Sequence, residues 1–79
     1  MLVVTQVRVP GAYRLQLMFS NGEKREFDMQ PYLEFPVFRP LKNQGLFELA
    51  SVNYGTVVWP GEIDIEPETL YQQSRLLNS

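Results

Sequence analysis

A chain of 79 residues without histidine or cysteine lacks the commonest general base, the soft metal ligands and the most reactive protein nucleophile. Its net charge of −2 and pI near 4.9 argue against general affinity for nucleic acid, because phosphate binding requires clustered lysine and arginine. With 44% hydrophobic residues the composition is typical of a globular fold, and we expect one domain spanning residues 1–79. A core this small has no disulfides to support it, so dimerisation is one way to bury more apolar surface.

Three strands are predicted in the first 29 residues. Leu2 to Val9 is rich in β-branched residues and predicts a strand that ends at Pro10-Gly11. Tyr13 to Ser20 alternates apolar and polar residues, which predicts a second strand with one buried face. Asn21-Gly22 predicts a type I′ hairpin turn, because both residues tolerate positive φ, and Glu23 to Met29 predicts the third strand. Such a series of antiparallel strands is a meander.

The segment after Pro31 is marked by prolines and rich in apolar side chains. It predicts a short helical turn and then an irregular segment packed over the open face of the meander, because Pro36 and Pro40 prevent a continuous helix. Gln44 to Ala50 predicts one or two helical turns with inward-facing Leu46, Phe47 and Leu49.

A second hairpin and an acidic stretch follow. Thr56 to Trp59 pairs with the region of Val52 in this prediction, and Pro60-Gly61 then redirects the chain. Residues 62–66 alternate acid and isoleucine, so an extended backbone places Ile63 and Ile65 on one face and the carboxylates on the other.

Pro67 predicts the first turn of a C-terminal helix, with Glu68 near the positive end of the helix dipole. Helical spacing continues through Leu70, Tyr71, Ser74 and Leu77, and Arg75 suits the C-terminal end of the helix. The predicted fold is therefore α+β, with about five antiparallel strands and one clear helix.

Several short motifs occur in a fixed order along nearly the whole chain. They are Leu17-x-Phe19-x-Asn21-Gly22, Arg25-x-Phe27-Asp28, Pro31-Tyr32-Leu33, Phe38-x-x-Leu41, Phe47, Gly55-Thr56-Val57-Val58-Trp59-Pro60 and Asp64-Ile65-x-Pro67-Glu68-x-Leu70-Tyr71. In these motifs the chain resembles the bacterial family called domain of unknown function 2442. The resemblance implies a small α+β domain of bacteria and phages without an established activity.

The resemblance also implies a gene neighbourhood reminiscent of toxin and antitoxin pairs, and some family members precede a helix-turn-helix module. Only residues 71–79 remain from the end of the last motif, so we expect no direct binding of nucleic acid by this chain. The family-motif residues are predicted to act mainly in the fold: Asn21, Gly22, Phe27, Asp28, Trp59, Pro60, Asp64, Pro67, Leu70 and Tyr71.

Two aspartates and one tryptophan receive specific predictions. The carboxylate of Asp28 precedes the Gln30-Pro31 turn and can accept backbone N–H bonds there. Asp64 lies three residues before Pro67 and is predicted to satisfy N–H groups at the helix start. The alternative for both is metal binding or acid–base chemistry. Trp59 is predicted to lie in the core, with a binding pocket as the alternative, and one hypothesis places it against the C-terminal helix.

No catalytic residue, metal ligand or cofactor is predicted. Serines have no histidine partner, and the Lys24-Arg25 pair is expected to be a solvated hairpin face paired locally with Glu23 and Glu26. No signal peptide or membrane span is evident, so the cytoplasm is the expected compartment.

Two classes of function remain. The favoured class is a non-catalytic protein-interaction module, antitoxin-like or regulatory, whose partner is another small protein or a second copy of the chain. Its predicted contact surface is a strand edge or the acidic segment, defined by Glu62, Asp64, Glu66 and Glu68. The alternative is a metal-dependent enzyme or small-ligand binder built from carboxylates and tyrosines.

Overall fold

The computed structural model describes residues 1–77 as seven strands, two α-helices and two 3₁₀ helices. The strands are β1 (Val4–Gly11), β2 (Arg14–Phe19), β3 (Lys24–Asp28), β4 (Ser51–Asn53), β5 (Thr56–Trp59), β6 (Ile63–Ile65) and β7 (Arg75–Leu76). The 3₁₀ helices span Gln30–Tyr32 and Pro36–Lys42, and the α-helices are α1 (Gln44–Phe47) and α2 (Pro67–Gln72). The predicted α+β class is confirmed, and the described strands form two antiparallel sheets rather than one.

The first sheet has the strand order β1-β2-β3-β7 and contains the predicted meander. Leu15, Leu17 and Phe19 of β2 point into the core together with Phe27 of β3, as the alternation predicts. Strand β1 continues through Pro10 and ends at Gly11, two residues beyond the predicted end at Val9. It is an edge strand, where the missing N–H of proline interrupts no pairing on the open side.

The two turns of the meander differ from the prediction. Asn21-Gly22 does close a hairpin, but the type I′ prediction is wrong because only Gly22 has positive φ. Gly22 N donates to Phe19 O at 2.9 Å, and Asn21 Oδ1 accepts from Glu23 N at 3.0 Å. This is the pattern of a type I turn followed by a left-handed glycine. Positive φ at two consecutive residues occurs instead at Ala12 and Tyr13.

The second sheet has the strand order β4-β5-β6 and contains the predicted second hairpin. The acidic segment supplies its third strand, in which Asp64 pairs with Val58. The two sheets meet where Val4 N donates to Gly55 O at 2.9 Å. A Cβ atom on Gly55 would lie 2.9 Å from Val3 Cγ1, so this junction requires glycine.

The segment between the sheets packs mostly through 3₁₀ turns. Pro40 lies inside the longer 3₁₀ helix, where its missing N–H prevents regular α-helix. Helix α1 begins with a cap, because Asn43 Oδ1 accepts from Leu46 N at 3.2 Å. The predicted inward orientation of Leu49 is wrong: this side chain is 59% exposed because α1 ends at Phe47.

The C-terminal helix begins at Pro67 as predicted but ends at Gln72. The predicted helical continuation to Ser74 and Leu77 is therefore wrong, and Arg75 belongs to a strand. Strand β7 pairs with β3 because that strand offers a free backbone edge beside β2.

Both sheets and the intervening segment share one apolar core. Within residues 1–77, Thr56 is the only polar residue buried in it. The buried hydrophobic residues are Val4, Leu15, Leu17, Phe19, Phe27, Met29, Leu33, Phe38, Leu41, Phe47, Val57, Trp59, Ile63, Ile65 and Leu70.

Candidate partner-binding groove

The four carboxylates of the acidic segment are all exposed to solvent. Glu62 lies in the turn between β5 and β6, Asp64 at the centre of β6, Glu66 just before α2, and Glu68 in the first turn of α2. None of the four forms an ion pair with a basic residue within residues 1–77. Their charge is therefore uncompensated by the part of the chain that the structure describes.

Asp64 and Glu66 line a surface groove with a volume of about 340 Å³. Ile65 and Thr69 also line this groove, and its aromatic wall consists of Tyr32, Phe35 and Phe38. Glu62 and Glu68 are not lining residues. The structure thus brings two of the four predicted contact residues together with a set of aromatic side chains.

In the aromatic wall, Phe38 and Tyr32 contact the core, whereas Phe35 is largely exposed. Phe38 is buried, and the Tyr32 ring lies 5.2 Å from Phe27 of the core. Phe35 makes an edge-on contact with Tyr32 at 5.9 Å and is 51% exposed. The neighbouring Val37 is 57% exposed. This wall offers an aromatic face that the core holds in place.

Local backbone structure explains why these groups converge. Phe35 has extended dihedral angles, φ −71° and ψ 135°, immediately before Pro36 begins a 3₁₀ helix. Strand β6 buries Ile63 and Ile65, so its alternation turns Asp64 outward. The prediction that Asp64 caps α2 is wrong, because the cap position is Glu66 and no side chain caps it.

The other motif residues have structural positions. Asp28 Oδ1 accepts from Gln30 N at 3.0 Å, which confirms the predicted turn contact. Trp59 is 3% exposed, which confirms the predicted core position. Its ring stacks on Phe47 of α1 at 5.8 Å, and its Nε1 donates to Phe47 O at 2.9 Å. Pro60 is an exposed turn residue.

A polar cluster that the sequence reasoning missed joins β3 to the C-terminal segment. The Arg25 guanidinium lies 4.4 Å from the centre of the Tyr71 ring. It donates to Glu23 Oε1 and to Ser74 Oγ, both at 2.7 Å, and Tyr71 Oη donates to Glu23 Oε2 at 3.1 Å.

Pairing of Arg25 with Glu23 is confirmed, but the expected solvated face is wrong for Arg25, whose side chain is only 15% exposed. The available signal was strand alternation, which places Arg25 on the same face as the buried Phe27. This cluster fixes the C-terminal segment against β3.

Within residues 1–77, no three acidic side chains converge in a way that could hold a metal ion. In the same range, no helix has the length and apolar character needed to span a membrane. The groove itself combines exposed carboxylates with aromatic surface.

Comparison with known proteins gives one family match. The model of a family described as "Protein of unknown function (DUF2442)" matches residues 4–75, nearly the whole chain. No curated protein and no solved structure matches the chain.

Proposed function

The chain belongs to the DUF2442 family of unknown function, and we propose that it acts by association: its groove binds a basic segment of another protein. The observation that carries this proposal is that Asp64 and Glu66, which have no ion-pair partner within residues 1–77, line one groove together with the exposed Phe35. Carboxylates attract a cation, and an aromatic face provides a surface on which the same cation can stack.

Arginine suits this combination better than lysine. Its planar guanidinium can stack on an aromatic ring while its N–H groups donate to a carboxylate in two parallel hydrogen bonds. Lysine presents a compact, strongly hydrated charge that gains less from the aromatic wall. The proposed partner segment therefore presents at least one arginine to the space between Phe35 and Asp64.

The remaining carboxylates act at longer range in this proposal. Glu62 and Glu68 lie outside the groove, so they contribute to the field that attracts a basic partner rather than to the final contacts. Salt should screen that field over about 10 Å and slow association more than it speeds dissociation.

The wider setting that we propose is the bacterial cytoplasm, with the chain as an antitoxin-like or regulatory partner of a small co-encoded protein. The gene neighbourhoods implied by the family resemblance support this setting, and the surface charge suits a basic partner. Self-association into a homodimer would use the same groove only if a basic segment of the second copy reached it.

Two double variants test the groove with matched changes in charge. Asp64→Asn with Glu66→Gln removes both groove carboxylates, whereas Glu62→Gln with Glu68→Gln removes two charges from the same segment outside the groove. The probe is a fluorescein-labelled ten-residue peptide of alternating arginine and alanine, with a glutamine and alanine peptide as control. Fluorescence anisotropy measures affinity, and stopped-flow fluorescence measures the association rate.

We expect the groove variant to weaken arginine-peptide binding by at least about tenfold, since each lost charged hydrogen bond contributes roughly 1.5–3 kcal/mol. The outer variant should mainly lower the association rate. Phe35→Ala should also weaken binding while leaving the charge unchanged. Equal losses in the two double variants would show general charge attraction without a groove site, and unchanged binding in both would contradict the proposal.

A further inference from the structure

The outer face of the four-stranded sheet carries positive charges that have no ion-pair partner within residues 1–77, in contrast to the negative charges of the acidic segment. Four of the seven basic side chains of the chain have carboxylate partners: Arg14, Arg25, Lys42 and Arg75. Three have no such partner within residues 1–77: Arg8, Lys24 and Arg39. Two of these three, Arg8 and Lys24, lie on the same face of the sheet and line the same cavity.

The strand register defines this cavity. Gln6 of β1 lies opposite Met18 of β2, which lies opposite Lys24 of β3. In the next row, Arg8 lies opposite Gln16. Because side chains alternate between the two faces of a strand, all five project from the outer face.

The cavity has a volume of about 170 Å³ and a chemically mixed lining. Two cations and two side-chain amides provide hydrogen-bond donors, while Met18 and Leu77 provide apolar contact. Leu77 is held at the edge of the cavity because its backbone N–H donates to Lys24 O at 2.8 Å. The lining residues come from three strands and the C-terminal segment, so the fold itself assembles the cavity.

The neighbouring carboxylate does not neutralise these cations. Glu26 lies opposite Gln16 in the register, but its Oε2 is placed between Arg14 at 3.7 Å and Arg75 at 3.6 Å. Its charge is therefore already shared by two arginines. Arg8 and Lys24 face the cavity as a local excess of two positive charges on a chain whose net charge is negative.

We propose that this cavity binds the phosphate group of a small phosphate monoester. A dianion matches the two positive charges, and the arginine fork and the lysine ammonium both bind phosphate oxygens well. The amides of Gln6 and Gln16 add neutral donors. Met18 and Leu77 contact the carbon part of the ester.

A small ester fits better than a nucleic acid strand. A nucleic acid backbone requires a track of positive charge across several phosphates, and the acidic pI of the chain opposes such an extended contact. Here two cations, Arg8 and Lys24, have no ion-pair partner within residues 1–77 and line one cavity. The shape and charge thus match one phosphate group.

The matched variants Arg8→Gln and Arg39→Gln provide the test. Both remove one unpaired arginine and change the net charge equally, but Arg39 does not line the cavity; its Nε donates to Glu34 O. The full-length ¹⁵N-labelled protein is titrated with phenyl phosphate at constant ionic strength, with chloride as the reference anion. Amide chemical shifts report both the affinity and the location of binding.

We expect saturable shifts at the amides of Gln6, Arg8, Gln16 and Lys24 in the unsubstituted protein. Arg8→Gln should weaken binding by at least about tenfold, as the loss of a charge-assisted bond does, and Arg39→Gln should bind normally. Lys24→Gln should repeat the loss on a different strand.

Three results would overturn the proposal. One is equal affinity of the Arg8→Gln and Arg39→Gln proteins, and another is a set of shifts spread over the chain without saturation. The third is a single-stranded oligonucleotide that displaces phenyl phosphate at lower concentration, which would assign the face to nucleic acid. Because none of these variants alters the groove, their outcome is independent of the association with basic peptides.

Discussion

The carboxylates at the four-stranded sheet and those of the acidic segment differ in whether they have ion-pair partners. In the four-stranded sheet, Glu23 binds Arg25 and Tyr71, while Glu26 lies between two arginines. In the three-stranded sheet and the helix after it, the acidic segment has no ion-pair partner within residues 1–77. The same functional group therefore supports the fold in one region and remains available for a partner in the other.

Sequence distribution explains this difference. Residues 43–74 contain five acidic residues and no basic residue, so β4, β5, β6 and both α-helices have no cation of their own. The meander instead carries both signs, so that Arg14 pairs diagonally with Glu26 of the next strand and Arg25 pairs with Glu23 in its own segment. The small net charge of the chain is therefore the sum of an acidic region and a region in which both signs occur. Mutations in each region test whether their carboxylates have separate roles.

The largest expected effect comes from Trp59→Ala, because apolar packing supports β5, the strand on which the acidic strand pairs. Loss of the stacked ring should reduce the free energy of unfolding by about 3–5 kcal/mol, a large share of the stability of a small domain. Urea denaturation measures this change.

Trp59→Phe is the control, since it keeps an aromatic ring near Phe47 and removes the Nε1–H bond to Phe47 O. We expect Trp59→Phe to reduce the free energy of unfolding by about 1–3 kcal/mol. An unchanged urea midpoint in Trp59→Ala would show that the support of the acidic strand lies elsewhere.

The second-largest loss of stability is expected from removing the cation that pairs with Glu23. Arg25→Ala should cost about 2–4 kcal/mol, because it removes charged hydrogen bonds and the contact with the Tyr71 ring and leaves Glu23 without its cation. Arg14→Ala is the matched arginine deletion on the neighbouring strand. Its side chain is 57% exposed and its ion pair is long, so we expect less than about 1 kcal/mol.

Thermal and urea unfolding of the two arginine variants measure whether Arg25→Ala is the more destabilising change. Similar losses in both would mean that burial does not distinguish the Arg25 cluster from a surface ion pair. Loss of β7 pairing in Arg25→Ala, seen by amide exchange at Arg75 and Leu76, would locate the damage at the C-terminal strand.

The smallest effect is expected from removing the whole charge of the acidic segment. Replacement of Glu62, Glu66 and Glu68 by Gln and of Asp64 by Asn should change the free energy of unfolding by less than about 1 kcal/mol, because all four side chains are exposed and form no ion pair within residues 1–77. Differential scanning calorimetry measures the change. A cost above 2 kcal/mol would give these carboxylates a structural role and remove the contrast between the sheets.

Local periodicity accounts for the parts of the fold that the sequence predicts well. Alternation identifies β2, β3 and β6 and the burial of Ile63 and Ile65, because side-chain direction in a strand depends only on neighbouring residues. The start of α2 at Pro67 is equally local.

Tertiary competition accounts for the failures. Helical spacing through Ser74 is real, yet the free edge of β3 and the bonds from Arg25 favour a strand at Arg75. Ala12 and Tyr13 adopt positive φ without glycine, and the Tyr13 ring gains an edge contact with Phe47 at 5.1 Å. Contacts of this kind join distant segments and leave no periodic signal.

The sequence predicted the acidic residues of the candidate groove but not its aromatic wall, because contacts between distant segments leave no periodic signal. Its acidic wall is a continuous run in the sequence, whereas its aromatic wall comes from a segment about thirty residues earlier. Apolar density after Pro31 indicates a packed segment but does not show that Phe35 remains exposed. Only the packing of the 3₁₀ helices beside β6 reveals that exposure.

The junction at Gly55 has a consequence for folding kinetics. Four of the five strand pairings connect consecutive strands, so both meanders can form from short-range contacts. The bond from Val4 to Gly55 closes a loop of about fifty residues and joins them. We therefore expect docking of the sheets to follow hairpin formation, and Gly55→Ala to accelerate unfolding much more than it slows folding in stopped-flow experiments.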